Sequence, residues 1–356
     1  MSSLPAAVQA DEIATSRLRT HVLRSGPRDA PVLVLVHGNV SSARFFAETM
    51  AVLGDRWHCI APDLRGFGRS QRAPADARRG LRDFADDLHA LLAGTGLVPG
   101  GQRVHLLGWS LGGGVVMQYA IDHPDTVASI VLESPMSPFG FGGTRDPAGS
   151  PCWPDFAGSG GGTANPEMVR RIAAGDRGSD DAASPRRVLT TLYGAQLSLP
   201  PGVEDALVEG MLEMATGDDY YPGDHAASPS WPGTAPGSRG VNNAISPKYC
   251  DLSGFASIGG RPDVLWIRGD ADAIVSDTSL VDLGHLGALG AVPGWPGPDI
   301  YPAQPMVGQM RAVLDRYQAA GGRYTERVLA GCGHSPHLER PEEFTGTVTQ
   351  FLAGAG

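Results

Sequence analysis

The sequence predicts an α/β fold in which a mostly parallel, doubly wound sheet is interrupted by a mainly helical, loop-rich insertion. Three observations predict it. Short runs that are apolar on both faces recur along the chain, as strands buried under helices require. Segments of helical periodicity alternate with them over short links. This alternation stops after Ser134 and resumes at Val264, beyond a stretch dense in glycine and proline.

Residues 32–36 read Val-Leu-Val-Leu-Val and end in His37-Gly38, a central strand closed by a turn. Residues 59–61 lead into Pro62-Asp63 as a second strand end. Phe84, Leu88, Leu91 and Leu92 lie at helical spacing within 82–93. Residues 104–107 predict another buried strand, cut off by Gly108. A helix over 111–121 is stopped before Pro124, and residues 129–132 supply the next strand. Residues 135–166 then hold 14 Gly or Pro in 32 positions. Helical patches follow at 166–174, 184–193 and 203–215, and a second Gly/Pro-rich loop at 222–240. Residues 264–267 restore the sheet pattern. A long loop at 284–305, a helix over 306–320, a strand at 324–329 and a helix at 341–353 close the chain. The division that follows is a sheet core in two pieces, 1–134 and 258–356, with a cap inserted at 135–257.

Composition bounds the function. The 49 glycines and 29 prolines in 356 residues exceed the usual combined share of roughly 12%. A hydrophobic content of 42% nonetheless excludes a mainly disordered chain. The surplus concentrates in 135–166, 222–240 and 284–305, so all three segments are expected to border the mouth of a site. The net charge is −10, with Lys248 the single lysine and no basic run, which argues against a nucleic-acid partner. No run of 18 apolar residues exists, so no membrane span is expected. Cys59, Cys152, Cys250 and Cys332 are widely spaced and form no CxxC pair. They predict reduced thiols in a cytoplasmic protein, with no metal site. The first 20 residues are polar and lack the apolar core of a signal peptide.

One motif carries chemistry. Residues 108–112 read Gly-Trp-Ser-Leu-Gly, with a predicted strand before and a helix after. A nucleophile at such a turn adopts strained backbone angles, so its flanking positions must be small. Gly108, Gly112 and Gly113 meet that need. Ser110 would then project its hydroxyl above the sheet edge, with the Leu111 N–H facing the same space as an oxyanion donor. A dinucleotide loop would need GxGxxG and an acidic ribose partner, and neither is present.

With these residues the chain resembles the α/β-hydrolase superfamily. His37-Gly38-Asn39 is similar to that family's oxyanion motif after the third strand. Pro62-Asp63-Leu-Arg-Gly-Phe-Gly-Arg-Ser70 resembles the turn after its fourth. The resemblance covers 18–134 and 258–356 and does not reach the cap. It implies a Ser, acid, His order along the chain. His334, in Gly331-Cys-Gly-His334-Ser-Pro, occupies the family position of the base, with His337 its nearest rival. Asp272, three residues past Gly269, matches the family spacing for the acid. Glu133, at the end of the sixth strand, is the alternative. Asn39 is expected to give the second oxyanion N–H, and His37 to brace that loop. Trp109 and Val40 are expected at the substrate.

Ser110 as nucleophile sets aside dehalogenase and epoxide hydrolase chemistry, which pass through the ester of a carboxylate side chain. The aromatics Trp153, Phe156, Tyr193, Tyr220, Tyr221, Trp231, Trp295 and Tyr301 suggest a bulky apolar or aromatic ester or lactone, macrolactones such as zearalenone included. C–C bond hydrolysis, cofactor-free haloperoxidation and a receptor that keeps the triad are the alternatives within the family. The chemistry needs water and no cofactor. Oligomeric state is left open, with the Gly/Pro-rich loops available to a second copy.

Overall fold

The computed structural model describes residues 4–354. Its first six strands are β1 (Gln9–Ala14), β2 (Arg19–Ser25), β3 (Val32–Val36), β4 (His58–Pro62), β5 (Val104–Trp109) and β6 (Val127–Glu133). Two short ribbons follow: β7 (Thr216–Gly217) with β8 (Tyr221–Pro222), and β9 (His225–Ala227) with β10 (Thr234–Pro236). β11 (Asp263–Gly269) and β12 (Tyr324–Leu329) complete an eight-stranded sheet of order β1-β2-β4-β3-β5-β6-β11-β12. The sheet is parallel from β4 to β12, and β1 and β2 join it antiparallel.

The order explains the composition of each strand. β3 and β4 are interior strands and fully buried, so they read as continuous apolar runs. β1 is an edge strand with an alternating, charge-bearing pattern, which keeps its free edge from pairing elsewhere. That polar alternation hides β1 and β2 from a search for apolar runs. β5 runs through Gly108 to Trp109, two residues beyond the expected end. Gly108 still pairs with Val36 and Leu132, so the glycine serves close packing rather than termination.

Helices α1 (Ala47–Leu53), α2 (Arg82–Gly94) and α3 (Leu111–Asp122) link the first strands. α3 is buried from Leu111 to Ala120, which suits a helix that is apolar all round. Between β6 and β11 the chain forms α4 (Pro166–Ala173), α5 (Pro185–Leu192), α6 (Pro201–Leu212) and α7 (Val241–Ala244). The starts of α4 and α5 are written in the sequence. Asn165 and Ser184 accept hydrogen bonds from first-turn N–H groups, each followed by a proline at the first helical position. The expected loop at 284–305 opens instead with α8 (Leu283–Ala288), whose N-terminus Asp282 caps through His285 N–H. The 222–240 loop contains the β9–β10 ribbon. α9 (Met306–Ala319), α10 (Pro336–Glu339) and α11 (Pro341–Gly354) close the chain. Among the described residues, no helix is long and apolar enough to cross a membrane.

The chain runs from β3 outward to β4 and returns on the other side of β3 as β5. Connections that leave in opposite directions open a crevice beyond the carboxyl ends of those strands, and open α/β sheets bind ligands there. His37-Gly38-Asn39 and Ser110 lie at that crevice.

Candidate active site

Ser110 sits between β5 and α3 at φ +56°, ψ −119°, a conformation that costs free energy and is held by its surroundings. Its N–H donates to Glu133 O at 3.0 Å, and its carbonyl accepts from Gly113 N–H and Met136 N–H. The turn tolerates no bulk. A Cβ at Gly108 would lie 2.3 Å from Gly112 O, and one at Gly112 would lie 2.0 Å from Val36 O. The spacing of the motif is therefore a packing requirement of a sharp turn under the neighbouring strand. The Ser110 side chain makes no capping bond, so the hydroxyl is left for the cavity above.

His334 lies in the loop after β12. Its Nδ1 is 2.8 Å from Asp272 Oδ2, with both side chains 2% exposed. A carboxylate only accepts, so this contact assigns the proton to Nδ1 and leaves Nε2 as acceptor. Asp272 Oδ1 accepts from the N–H groups of Ile274 (2.7 Å) and Val275 (2.9 Å), which fixes the carboxylate from behind. Ser110 and His334 line the same cavity.

The alternatives are occupied elsewhere. Glu133 Oε1 lies 2.7 Å from His337 Nδ1 and accepts from His337 N–H at 2.9 Å, with both side chains fully buried. Asp270, another carboxylate of the loop after β11, accepts from Gly331 N–H. His37 Nε2 accepts from Leu64 N–H at 3.0 Å, so Nδ1 carries the proton and donates to Gly38 O at 2.8 Å. Burial lowers its pKa, which outweighs the attraction of Asp63 and keeps it a neutral brace.

The loop after β3 brings Asn39 and Val40 to the cavity. Asn39 Oδ1 accepts from Val40 N–H, and Asn39 Nδ2 donates to Asn242 Oδ1, both at 3.0 Å. Leu111 opens α3, so its N–H has no partner within the helix. Among the described residues neither the Asn39 nor the Leu111 N–H meets a backbone acceptor outside regular structure.

The cavity above these groups measures about 420 Å³. Its walls are mainly aliphatic, with Met136, Leu192, Ile245, Ile274 and Leu286 drawn from five separate segments. None of the described residues lining it is Asp, Glu, Lys or Arg.

A family model described as the alpha/beta hydrolase fold matches residues 31–159. The carboxylesterase YbfK of Bacillus subtilis is 30% identical over 139 residues, 39% of this chain and 45% of that protein. The magnesium-chelatase 30 kDa subunit of Rhodobacter capsulatus is 38% identical over 103 residues, 29% of this chain and 34% of that protein. The chain thus spans less than half the length of these curated relatives. Over nearly the whole chain the fold matches the crystal structure of carboxylesterase CesB (YbfK) from Bacillus subtilis. That match has a TM-score of 0.58 and 19% identity, covering 99% of this chain and 93% of that one. The esterase RhEst1 from Rhodococcus sp. ECU1013 gives a TM-score of 0.58 at 19% identity, covering 98% and 100%. The chain has the α/β-hydrolase fold, and its residues 31–159 match that fold's family model.

Within this α/β-hydrolase fold, three expectations about the pocket need correction. Trp109 does not line the cavity. It is fully buried beneath the site, stacked 5.5 Å from Phe45, and its Nε1 donates to His334 O at 2.9 Å. A residue inside β5 between two packed layers has no route to the substrate. Of the eight aromatics expected near the site, only Tyr193 and Tyr221 line the cavity. Trp231, Trp295 and Tyr301 pack on one another and on nearby backbone. The 222–240 segment likewise contributes no residue to the walls, whereas 135–166 and α8 do.

His337 and Glu133, the rival base and the alternative acid of the sequence, pack under Trp109 as a second carboxylate–imidazole pair. Two further residues near the site had no place in the sequence reading. Glu339 accepts from three backbone N–H groups beside the histidine loop. Only its position, five residues past His334, hinted at this. Asn242 carried no local signal, since its contact with Asn39 spans 203 positions.

Proposed function

We propose that the chain is a serine hydrolase that cleaves neutral, apolar carboxylic esters or lactones through an acyl-enzyme, with residues 135–257 acting as its cap. One observation carries the reading: a serine on a strained strand–helix turn shares a cavity with a histidine whose Nδ1 is held by a buried carboxylate. Ser110 Oγ attacks the carbonyl carbon as His334 Nε2 takes its proton, and Asp272 stabilises the imidazolium. The Asn39 and Leu111 N–H groups receive the developing oxyanion. The imidazolium then protonates the leaving oxygen. Water, deprotonated by His334, attacks the acyl ester and frees Ser110. The carboxylesterase and esterase names among the relatives support this reaction class.

The cavity supports the substrate class. An acyl chain buried among aliphatic walls gains transfer free energy, while an unpaired charge there has no partner. The predominance of Leu, Ile, Val and Met favours aliphatic chains over the aromatic groups that the sequence alone suggests. The test is turnover of p-nitrophenyl acetate, butyrate and octanoate, together with γ- to macrolactones, by the intact chain. Ser110→Ala and His334→Ala should each abolish turnover, and Ser110→Ala should also abolish labelling by a fluorophosphonate. Full activity in either variant refutes the assignment.

A further inference from the structure

The candidate centre is divided between two loops, one after β3 and one after β12. A single short piece of the insertion is bonded to both. Tyr193 ends α5, and its buried hydroxyl donates to Asn39 O at 3.0 Å and Val40 O at 3.1 Å. Val40 stands at φ +46°, a backbone conformation that a β-branched residue holds only under constraint. Burial drives the Tyr193 phenol to a higher pKa, so it stays a donor. The ring packs edge-on to Trp109 at 5.6 Å and to His334 at 6.1 Å.

Two residues further on, the N–H groups of Ala195 and Gln196 donate to the Glu339 carboxylate, each at 3.0 Å. The same carboxylate accepts at 2.8 Å from the N–H of Gly333, the residue before His334. Glu339 is 9% exposed, and its three backbone donors come from two segments far apart in sequence. A Cβ on Gly333 would fall 2.4 Å from Ala195 N, so the two segments touch without room for a side chain.

We propose that residues 193–196 form a tie that sets the spacing between the oxyanion loop and the histidine loop, with Tyr193 and Glu339 as positioning residues. The proposal rests on the serine-hydrolase reading above. Neither side chain touches the reacting atoms. Tyr193 fixes the two peptides that follow Asn39, and Glu339 fixes the Cys332–Gly333 peptide, one residue before His334. Reaction requires the oxyanion donors and the base to hold their places together. A displacement of about 1 Å is enough to cost roughly a hundredfold in rate. The tie also makes catalysis conditional on a seated cap, since α5 supplies cavity wall through Val188 and Leu192.

The test compares Tyr193→Phe, Glu339→Gln and the double variant with the parent, using p-nitrophenyl butyrate and active-site titration. Tyr317→Phe is the matched control, because its buried hydroxyl donates to Pro262 O at the opposite end of β11. We expect Tyr193→Phe and Glu339→Gln each to lower kcat per titrated site by about tenfold to a hundredfold, with KM within about twofold. Binding of an alkyl boronic acid, whose adduct places an oxygen among the oxyanion donors, should weaken by the same factor as kcat/KM. The double variant should lose less than the product of the two single losses, because either break releases one tie. Tyr317→Phe should keep kcat per site while lowering thermal stability. Wild-type kcat per site in either single variant, or a loss confined to KM, overturns the tie. If Ser110→Ala keeps turnover, the hydrolase reading falls first. If Ser110→Ala is inactive while Tyr193→Phe is normal, the tie alone falls.

Discussion

Replacing Asp272 by Asn separates orientation of the base from packing around it. The amide oxygen can still accept from Ile274 N–H and Val275 N–H, so the loop keeps its anchors. The amide nitrogen then takes the place of Oδ2, 2.8 Å from His334 Nδ1. Two donors cannot share that contact, so the imidazole moves its proton to Nε2. A protonated Nε2 cannot accept from Ser110. The equivalent change in a serine protease triad lowers kcat by about 10⁴-fold. The same loss here corresponds to about 5.4 kcal/mol of transition-state stabilisation, at about 1.36 kcal/mol per factor of ten. Stability should change far less, because volume and the two backbone bonds are retained. The assay is kcat per titrated site with p-nitrophenyl butyrate at neutral pH, paired with a thermal melt. A kcat within tenfold of the parent would refute the role given to Asp272. A larger loss in Glu133→Gln than in Asp272→Asn would transfer the acid to Glu133.

Further outcomes follow from the same geometry. Gly112→Ala puts a Cβ 2.0 Å from Val36 O and should destabilise the fold by more than about 3 kcal/mol or abolish folding, read by urea unfolding. An anionic acyl group has no cationic partner among the described residues of the cavity, so p-nitrophenyl hemisuccinate should turn over at least about a hundredfold more slowly than the butyrate. Leu286→Trp narrows the cavity and should cut kcat/KM for the octanoate by more than about tenfold, with the acetate little affected. Burial lowers the pKa of His37, so the folded state refuses a proton that the unfolded imidazole accepts below about 6.5. Its contribution to stability is present above that pH and is lost as the pH falls, by at most about 1.4 kcal/mol per unit. Urea unfolding at pH 7, 6 and 5 should show this slope, and His37→Asn should flatten it.

The legible parts of the molecule are those where a local constraint writes itself into adjacent residues. Strands β3 to β6 are buried on both faces, and their apolar runs say so. The GxSxG turn is readable because two close approaches exclude side chains at Gly108 and Gly112. Spacing relative to the strands singled out His334 and Asp272, and the fold sets Nδ1 of one 2.8 Å from Oδ2 of the other. The expected domain limits concern the same segments but leave open how the insertion sits. Trp109 misled because adjacency to Ser110 in sequence places it on the opposite side of the strand, facing the core. The aromatics of 153–301 misled because aromatic content does not distinguish a pocket wall from a core.

The residues alone were enough to place strands β3 to β6, β11 and β12, the turn around Ser110 and the side-chain types at the site. Strand periodicity marks the strands, and Gly108 and Gly112 mark the turn because close approaches there, to Gly112 O and to Val36 O, exclude side chains. Which carboxylate meets which imidazole follows from the packing of the loops in three dimensions. Asp272 faces His334 and Glu133 faces His337, although all four stand at the same sheet edge. Folding also makes the cavity mainly aliphatic, with no Asp, Glu, Lys or Arg among the described residues that line it, and brings Tyr193 and Glu339 to the two loops of the site. The Tyr193–Asn39 and Ala195–Glu339 contacts join segments more than 140 residues apart, so no local pattern encodes them.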